Sequence, residues 1–250
     1  MKSSILTFTI SAASALSAQA AVTLTDSGNF ANNDYGSLAA TTATLNVGDF
    51  IVVAHANNKR DNGTNTITSA SSGAGASLIT SATGGDSGGG NGAWVFVYEV
   101  TTSGTQTITL SSSGSASNAQ STTYYALAAG AGETLAISGT AFGTAGSAAT
   151  SLDLVLGADV GAYGFAASSA DSTGTGSPGW TRNNNSGSGK REIYSINGLT
   201  SGTSTFGANT PASNFAIAGV AVTSITAVPE PSSTALLGLG GLSLVLRRRK

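Results

Sequence analysis

The sequence predicts an all-β protein. The expected body is an antiparallel β-sandwich, jelly-roll-like and built from two similar halves, with a signal peptide before it and a transmembrane helix after it. Three observations lead there. No stretch sustains a 3.6-residue apolar period, while short alternating or apolar runs recur between Gly, Ser and Asn clusters. Only 9% of residues are charged, against about 25% in an ordinary soluble protein. The order of strand-like runs also repeats between the two halves of the chain.

The elements follow in order. Segment 43–47 alternates, which turns Ala43, Leu45 and Val47 inward, and Gly48 and Asp49 make the turn after it. Segment 50–55 is apolar on both faces and reads as a central strand. Segment 94–100 (WVFVYEV) is the most strand-like run in the chain. Segment 105–110 sets Gln106, Ile108 and Leu110 on one side and three threonines on the other, a half-exposed strand. Segments 124–127, 134–137, 152–156, 192–196 and 215–222 complete the set. Between them, 57–65, 84–92 and 168–189 read as Gly- and Asn-rich loops. Trp94, Phe96, Phe50, Val52, Leu154, Leu156, Ile217 and Val220 are the expected core.

The repeat aligns Asp49-Phe50-Ile51-Val52-Val53 with Asp153-Leu154-Val155-Leu156. It also aligns Tyr98 and the Thr-Ser-Gly-Thr at 102–105 with Tyr194 and the same letters at 200–203. Two architectures fit: tandem β domains, or one sandwich over 21–226 in which the halves share a core. The single sandwich is favoured, because each half offers few large apolar residues and no Pro-rich or charged linker divides them.

Charge and chemistry narrow the function. The net charge is −2, but Lys2, Arg247, Arg248, Arg249 and Lys250 sit at the two ends, so the interior is acidic. No basic face is available for nucleic acid. With no cysteine, disulfides and Cys-based zinc sites are excluded. His55 is the one histidine, a poor start for a metal centre. Glu99, Glu133 and Glu192 are the body's glutamates, and Glu99 and Glu192 look equivalent in the two halves. Such a pair could serve glycoside hydrolysis if it faced one sugar, but similar halves produce the same coincidence without chemistry. Gly85-Asp86-Ser87-Gly88-Gly89 has the letters around a protease nucleophile but lies in a Gly loop. Asp61, Asp86 and Asp171 could offer oxygens to calcium, though no spaced acidic loop surrounds them. Trp180 could stack on a sugar or plug the sandwich. The expectation is no catalytic residue, no metal and no cofactor.

The ends carry the sharper signals. Lys2, a short apolar stretch over 5–16 and the small-x-small site Ala18-Gln19-Ala20 read as a secretory signal over 1–20, with Ala21 the new N-terminus. At the other end, Val228-Pro229-Glu230-Pro231-Ser232 is followed by an uncharged apolar run and then Arg247, Arg248, Arg249 and Lys250. The prolines stop any preceding strand. As a helix, 234–246 rises about 20 Å, short of a hydrocarbon core of about 30 Å, and snorkelling arginines with local thinning cover part of the gap. The basic cluster holds its end in the cytoplasm.

This three-part end, 227–250, resembles the PEP-CTERM sorting signal of exported bacterial proteins: motif 228–232, apolar helix 234–246, Arg-rich tail 247–250. The resemblance implies a substrate of exosortase, a membrane-embedded transpeptidase-like enzyme that cuts near Pro-Glu-Pro. It implies the secretion machinery as a further partner, an inner-membrane-anchored intermediate held by the C-terminal helix, and final placement at the cell surface or in the extracellular matrix. The expected role is structural or adhesive and non-catalytic. The alternative is a secreted carbohydrate-binding module or an enzyme acting on polysaccharide, with extracellular polysaccharide the natural partner.

Overall fold

A computed structural model describes residues 22–30, 37–57, 64–69, 74–85, 91–111, 120–146, 151–157, 161–170, 179–186, 191–207 and 214–226. Among them every regular element is a β-strand. In chain order these are β1 (Thr23–Asn29), β2 (Ser37–Leu45), β3 (Phe50–Asn57), β4 (Thr64–Ser69), β5 (Ala76–Gly85), β6 (Gly92–Val100), β7 (Gly104–Ser111) and β8 (Gln120–Ala128). The second half supplies β9 (Glu133–Gly146), β10 (Ser151–Leu156), β11 (Ala162–Ala170), β12 (Thr181–Ser186), β13 (Arg191–Leu199), β14 (Gly202–Gly207) and β15 (Asn214–Thr226).

The strands pair antiparallel in four sheets. Two have five strands, ordered β1-β8-β3-β6-β5 and β12-β13-β11-β15-β9. The others are β2-β7-β4 and β10-β14. Each half of the chain thus makes one large sheet and one small one.

Alternation along the strands sorts side chains onto two faces, and in the central strands of the large sheets, β3, β8, β11 and β15, both faces are buried. Phe50, Val52, Ala54 and Ala56 of β3 point one way and join Val95, Val97, Tyr125 and Leu127. The same cluster takes in Phe165, Ala167, Ile193, Ala218, Val220 and Val222 from the other large sheet. The large sheets therefore face each other across one apolar layer. On their far sides, Ile51, Val53, Tyr98 and Tyr124 pack with Leu45 and Ile108 of the three-stranded sheet. Likewise Ala166, Tyr194 and Ile217 pack with Leu152, Leu154 and Phe206 of the two-stranded sheet. The body has four β layers, with the widest apolar layer in the middle. Each large side chain buried there contributes about 1.5–3 kcal/mol.

The two large sheets are related strand for strand. The order β1-β8-β3-β6-β5 maps onto β9-β15-β11-β13-β12, and most contacts between them are reciprocal, β5 against β9 being the exception. β15 lies against β5 and β6, while β12 and β13 lie against β8; β11 meets β6, and β13 meets β3. This is the geometry of an isologous dimer inside one chain.

Register corrects part of the sequence reading. The counterpart of β3 is β11, and that of β10 is β2, so aligning 49–53 with 153–156 was one strand out. Shared Asp-apolar letters caused the slip. Ala43 and Val47 do not point inward: both are exposed, Val47 at 64%. The β2–β7 register shifts between Thr41 and Thr44, and the Gln106 backbone N–H donates to the buried Thr42 hydroxyl at 3.0 Å. That bulge reverses the alternation, so Leu45 stays inside while Val47 falls in the turn with Gly48 at φ 91°. Phe96 is half-buried, whereas Trp94, Phe50, Val52, Leu154, Leu156, Ile217 and Val220 are buried as expected.

Candidate functional site

His55 and Trp94 are cross-strand partners on β3 and β6, their rings stacked 5.5 Å apart. His55 is fully buried. Its Nδ1 lies 2.8 Å from the Thr122 hydroxyl and its Nε2 lies 3.0 Å from the Asn57 amide nitrogen. An amide nitrogen only donates, so with Asn57 oriented this way Nε2 accepts and the ring proton sits on Nδ1. Nδ1 then donates to Thr122 Oγ1. The imidazole is used up as a structural link, and the two partners in these bonds are neutral.

The glutamates do not pair as the repeat suggested. Glu99 pairs with Phe50 near the end of β6 and is exposed, whereas Glu192 pairs with Ser168 near the start of β13 and is buried. They lie at opposite ends of equivalent strands, and the residue equivalent to Glu192 is Trp94. Glu192 accepts from Arg182 Nη1 at 2.9 Å and from the Tyr194 hydroxyl at 2.6 Å. The hydrogen bond and charge of Glu192 raise the Arg182 pKa further.

Glu99 does share a cleft with other carboxylates. A cavity of about 250 Å³ is lined by Val47, Asp49, Phe50, Glu99, Glu133 and Leu135, among others. Asp49 accepts from the Asn46 backbone N–H at 2.7 Å, and Glu133 accepts from the Ser224 hydroxyl at 3.0 Å. Burial raises the Asp49 pKa, and the Asn46 bond opposes that rise. Among the described residues, no group of three or more His, Cys, Asp or Glu is placed to hold a metal ion.

A second polar cluster ties the halves together. Ser169 Oγ lies 2.6 Å from the Asn57 carbonyl and 2.8 Å from Asn91 Oδ1. The Ser121 hydroxyl donates to the Arg191 carbonyl at 2.8 Å, and the Asn184 amide donates to the Thr122 carbonyl at 3.0 Å. These bonds close one end of the central layer. A buried acceptor left unpaired costs about 1–3 kcal/mol, so they fix which surfaces of the halves meet. No spacing rule flags them, because each partner comes from a distant strand.

Asp26 was also missed. It accepts from the Ala43 amide at 2.6 Å and from the Tyr124 hydroxyl at 3.0 Å, joining β1 to β2 and β8. Burial, then the hydrogen bond and charge of Asp26, push the Tyr124 pKa up to about 12. Trp180 is buried, its ring 4.9 Å from Phe206, inside the second half's own layer. It is a plug and offers no exposed platform for a sugar.

The remaining candidates lie outside the described residues: Asp61, Asp86, Ser87 and Asp171, the signal site at Ala18, Ala20 and Ala21, the motif at 228–232, the apolar run 234–246 and the tail 247–250. Among the described residues no helix is long and apolar enough to cross a membrane.

A family model described as the PEP-CTERM protein-sorting motif matches residues 227–250. The match covers the C-terminal segment alone and supports an exported protein sorted by an exosortase. No curated protein and no solved structure matches the chain.

Proposed function

We propose that the chain is exported behind its signal at 1–20, held in the inner membrane by 234–246, and cut by exosortase near Pro229, Glu230 and Pro231. The body, 21–226, then serves at the cell surface or in the extracellular matrix as a structural or adhesive component without catalysis. The match at 227–250 is the observation that carries this reading. Arg247, Arg248, Arg249 and Lys250 keep the end inside while the body stands outside. The body is read as jelly-roll-like and built from two similar halves, a reading supported in the first half by the order β1-β8-β3-β6 beside β2-β7-β4.

The non-catalytic reading rests on how the titratable groups are used. Catalysis needs convergent groups free to exchange protons. His55 is locked between Thr122 and Asn57, and Glu192 is committed to Arg182 and Tyr194.

One observation favours the rival, a polysaccharide-acting enzyme: Asp49, Glu99 and Glu133 line one cleft. Glycosidase chemistry needs two carboxylates about 5–10 Å apart on either side of a sugar. Two experiments separate the readings. Replacing Glu230 by Ala, or deleting 247–250, should leave precursor in the membrane fraction; unchanged processing and delivery would overturn the sorting account. Polysaccharide hydrolysis by the wild-type chain that disappears in Glu99→Gln and Glu133→Gln would establish the enzyme instead.

A further inference from the structure

The two small outer sheets are counterparts, yet their outward faces differ. On β7, Gln106, Ile108 and Leu110 are buried, so Thr105, Thr107 and Thr109 take the outward positions and stay partly exposed. Register sets Thr44 beside Thr105 and Thr41 beside Thr107 on β2, both exposed. On the other flank it sets Thr68 opposite Thr107 and Thr66 opposite Thr109 on β4. Threonine positions therefore recur about 4.8 Å apart across the strands and about 6.8 Å apart along them. None of β2, β4 and β7 contains a charged or aromatic residue.

The counterpart face lacks this array. There Asp153, Val155, Thr203 and Thr205 are exposed on only two strands. The Thr205 hydroxyl is turned onto the Asp153 carboxylate at 2.7 Å.

We propose that the outward face of β2 and β7, with Thr41, Thr44, Thr105, Thr107 and Thr109, binds ice. A threonine offers one hydroxyl and one methyl side by side. The hydroxyl can hold a water molecule through a donor and two acceptor sites, and the methyl leaves no second polar group to draw water out of register. Repeated at these two spacings, the hydroxyls anchor waters close to the oxygen repeats on the faces of hexagonal ice. Bound water of this kind bridges nearly as well as a direct bond. An uncharged lattice also calls for an uncharged face, since a fixed ion would impose its own hydration shell. A neutral polysaccharide is the poorer fit, because sugar rings are gripped by aromatic faces and these strands carry none. The inference goes beyond the exported role above and does not depend on how the chain is sorted.

The test uses the full chain in two assays: partition into slowly growing ice, and thermal hysteresis. Wild-type protein should be enriched in the ice and should separate the melting and freezing points. Thr107→Lys should lose both effects. Thr41→Lys, at an exposed position of the same face, should lose them too, so a folding defect at Thr107 leaves the test intact. Thr203→Lys, on the counterpart face, should keep both, with all three variants unfolding at the wild-type temperature. Exclusion of wild-type protein from ice overturns the proposal, as does activity that survives both lysines on the array. Binding to cellulose or chitin without ice enrichment overturns it in favour of a sugar-binding face. Sorting is read at 228–232 in cells, so failure of either account is seen separately.

Discussion

The first and second halves share one strand order and almost none of their outer-face chemistry. Where the first half places Val53, Phe96 and Tyr124 side by side, the second places Ala166, Tyr194 and Gly219. Where the first places His55, Trp94 and Thr122, the second places Ser168, Glu192 and Ile217. At fixed register most of these side chains are smaller in the second half, Thr122 against Ile217 being the clear exception. A Cβ on Gly219 would come within 2.8 Å of Leu152 Cδ2 and 3.2 Å of the Phe165 carbonyl oxygen, so the two-stranded sheet occupies room that the Tyr124 ring fills in the first half. The comparison teaches that topology is held by alternation and by the middle layer, while the side chains of each outer layer differ with the small sheet that covers them.

The largest test of that statement is at the middle layer. Phe165→Ala should cost about 3–5 kcal/mol in urea denaturation, and both halves should still unfold in one transition. A loss confined to the second half would mean that the layer does not couple them.

Gly219→Ala comes next. Overpacking against Leu152 and the Phe165 carbonyl should cost about 1–3 kcal/mol. A neutral result would show that the outer layer of the second half has slack the register does not reveal.

Ser169→Ala removes the one hydroxyl hydrogen that lies between the Asn57 carbonyl and Asn91 Oδ1 at the polar end of the seam. The expected loss is about 1 kcal/mol. It should be seen in the shared transition, since that hydrogen bond crosses between halves.

A pH effect separates the halves more gently. Tyr124 titrates near 10 when unfolded and is pushed up to about 12 in the fold. The folded state then holds more protons across that interval, so stability falls as pH rises from 10 towards 12. Tyr124→Phe should lessen that alkaline decline, measured by thermal unfolding at stepped pH, while the buried Tyr125, whose pKa burial also raises, keeps part of it. Gly219, its counterpart, offers nothing to titrate.

The smallest effect is at Asp49, whose carboxylate is desolvated. Because burial holds its pKa above the unfolded value, ionising it on the way to neutral pH works against the fold. Asp49→Asn keeps an acceptor for the Asn46 backbone N–H and should raise the melting temperature slightly at pH 7. A drop would show that the charge is used by the cleft.

Much of this fold was legible in the sequence because apolar alternation is local. Leu152, Leu154 and Leu156 announce β10, and Ile108 with Leu110 announces the buried side of β7. The doubly apolar run at 50–55 correctly announced a central strand. What covers each of its faces is a matter of long-range pairing, which no window of sequence contains. The bulge at Thr42 was hidden for the same reason, since its partner is the Gln106 backbone N–H on another strand. The false pairing of Glu99 with Glu192 came from matching Tyr98 with Tyr194, whereas register matches Tyr194 with Phe96. The sorting signal was fully legible, because its motif, apolar run and basic tail are contiguous and read without any folded structure.

The most direct test of the functional account is the intact mass of the protein recovered from the cell surface. A chain that begins at Ala21 and ends close to Pro229, Glu230 and Pro231, without Arg247, Arg248, Arg249 and Lys250, is the result expected. A surface-delivered chain that still carries residues 234–250 would contradict it.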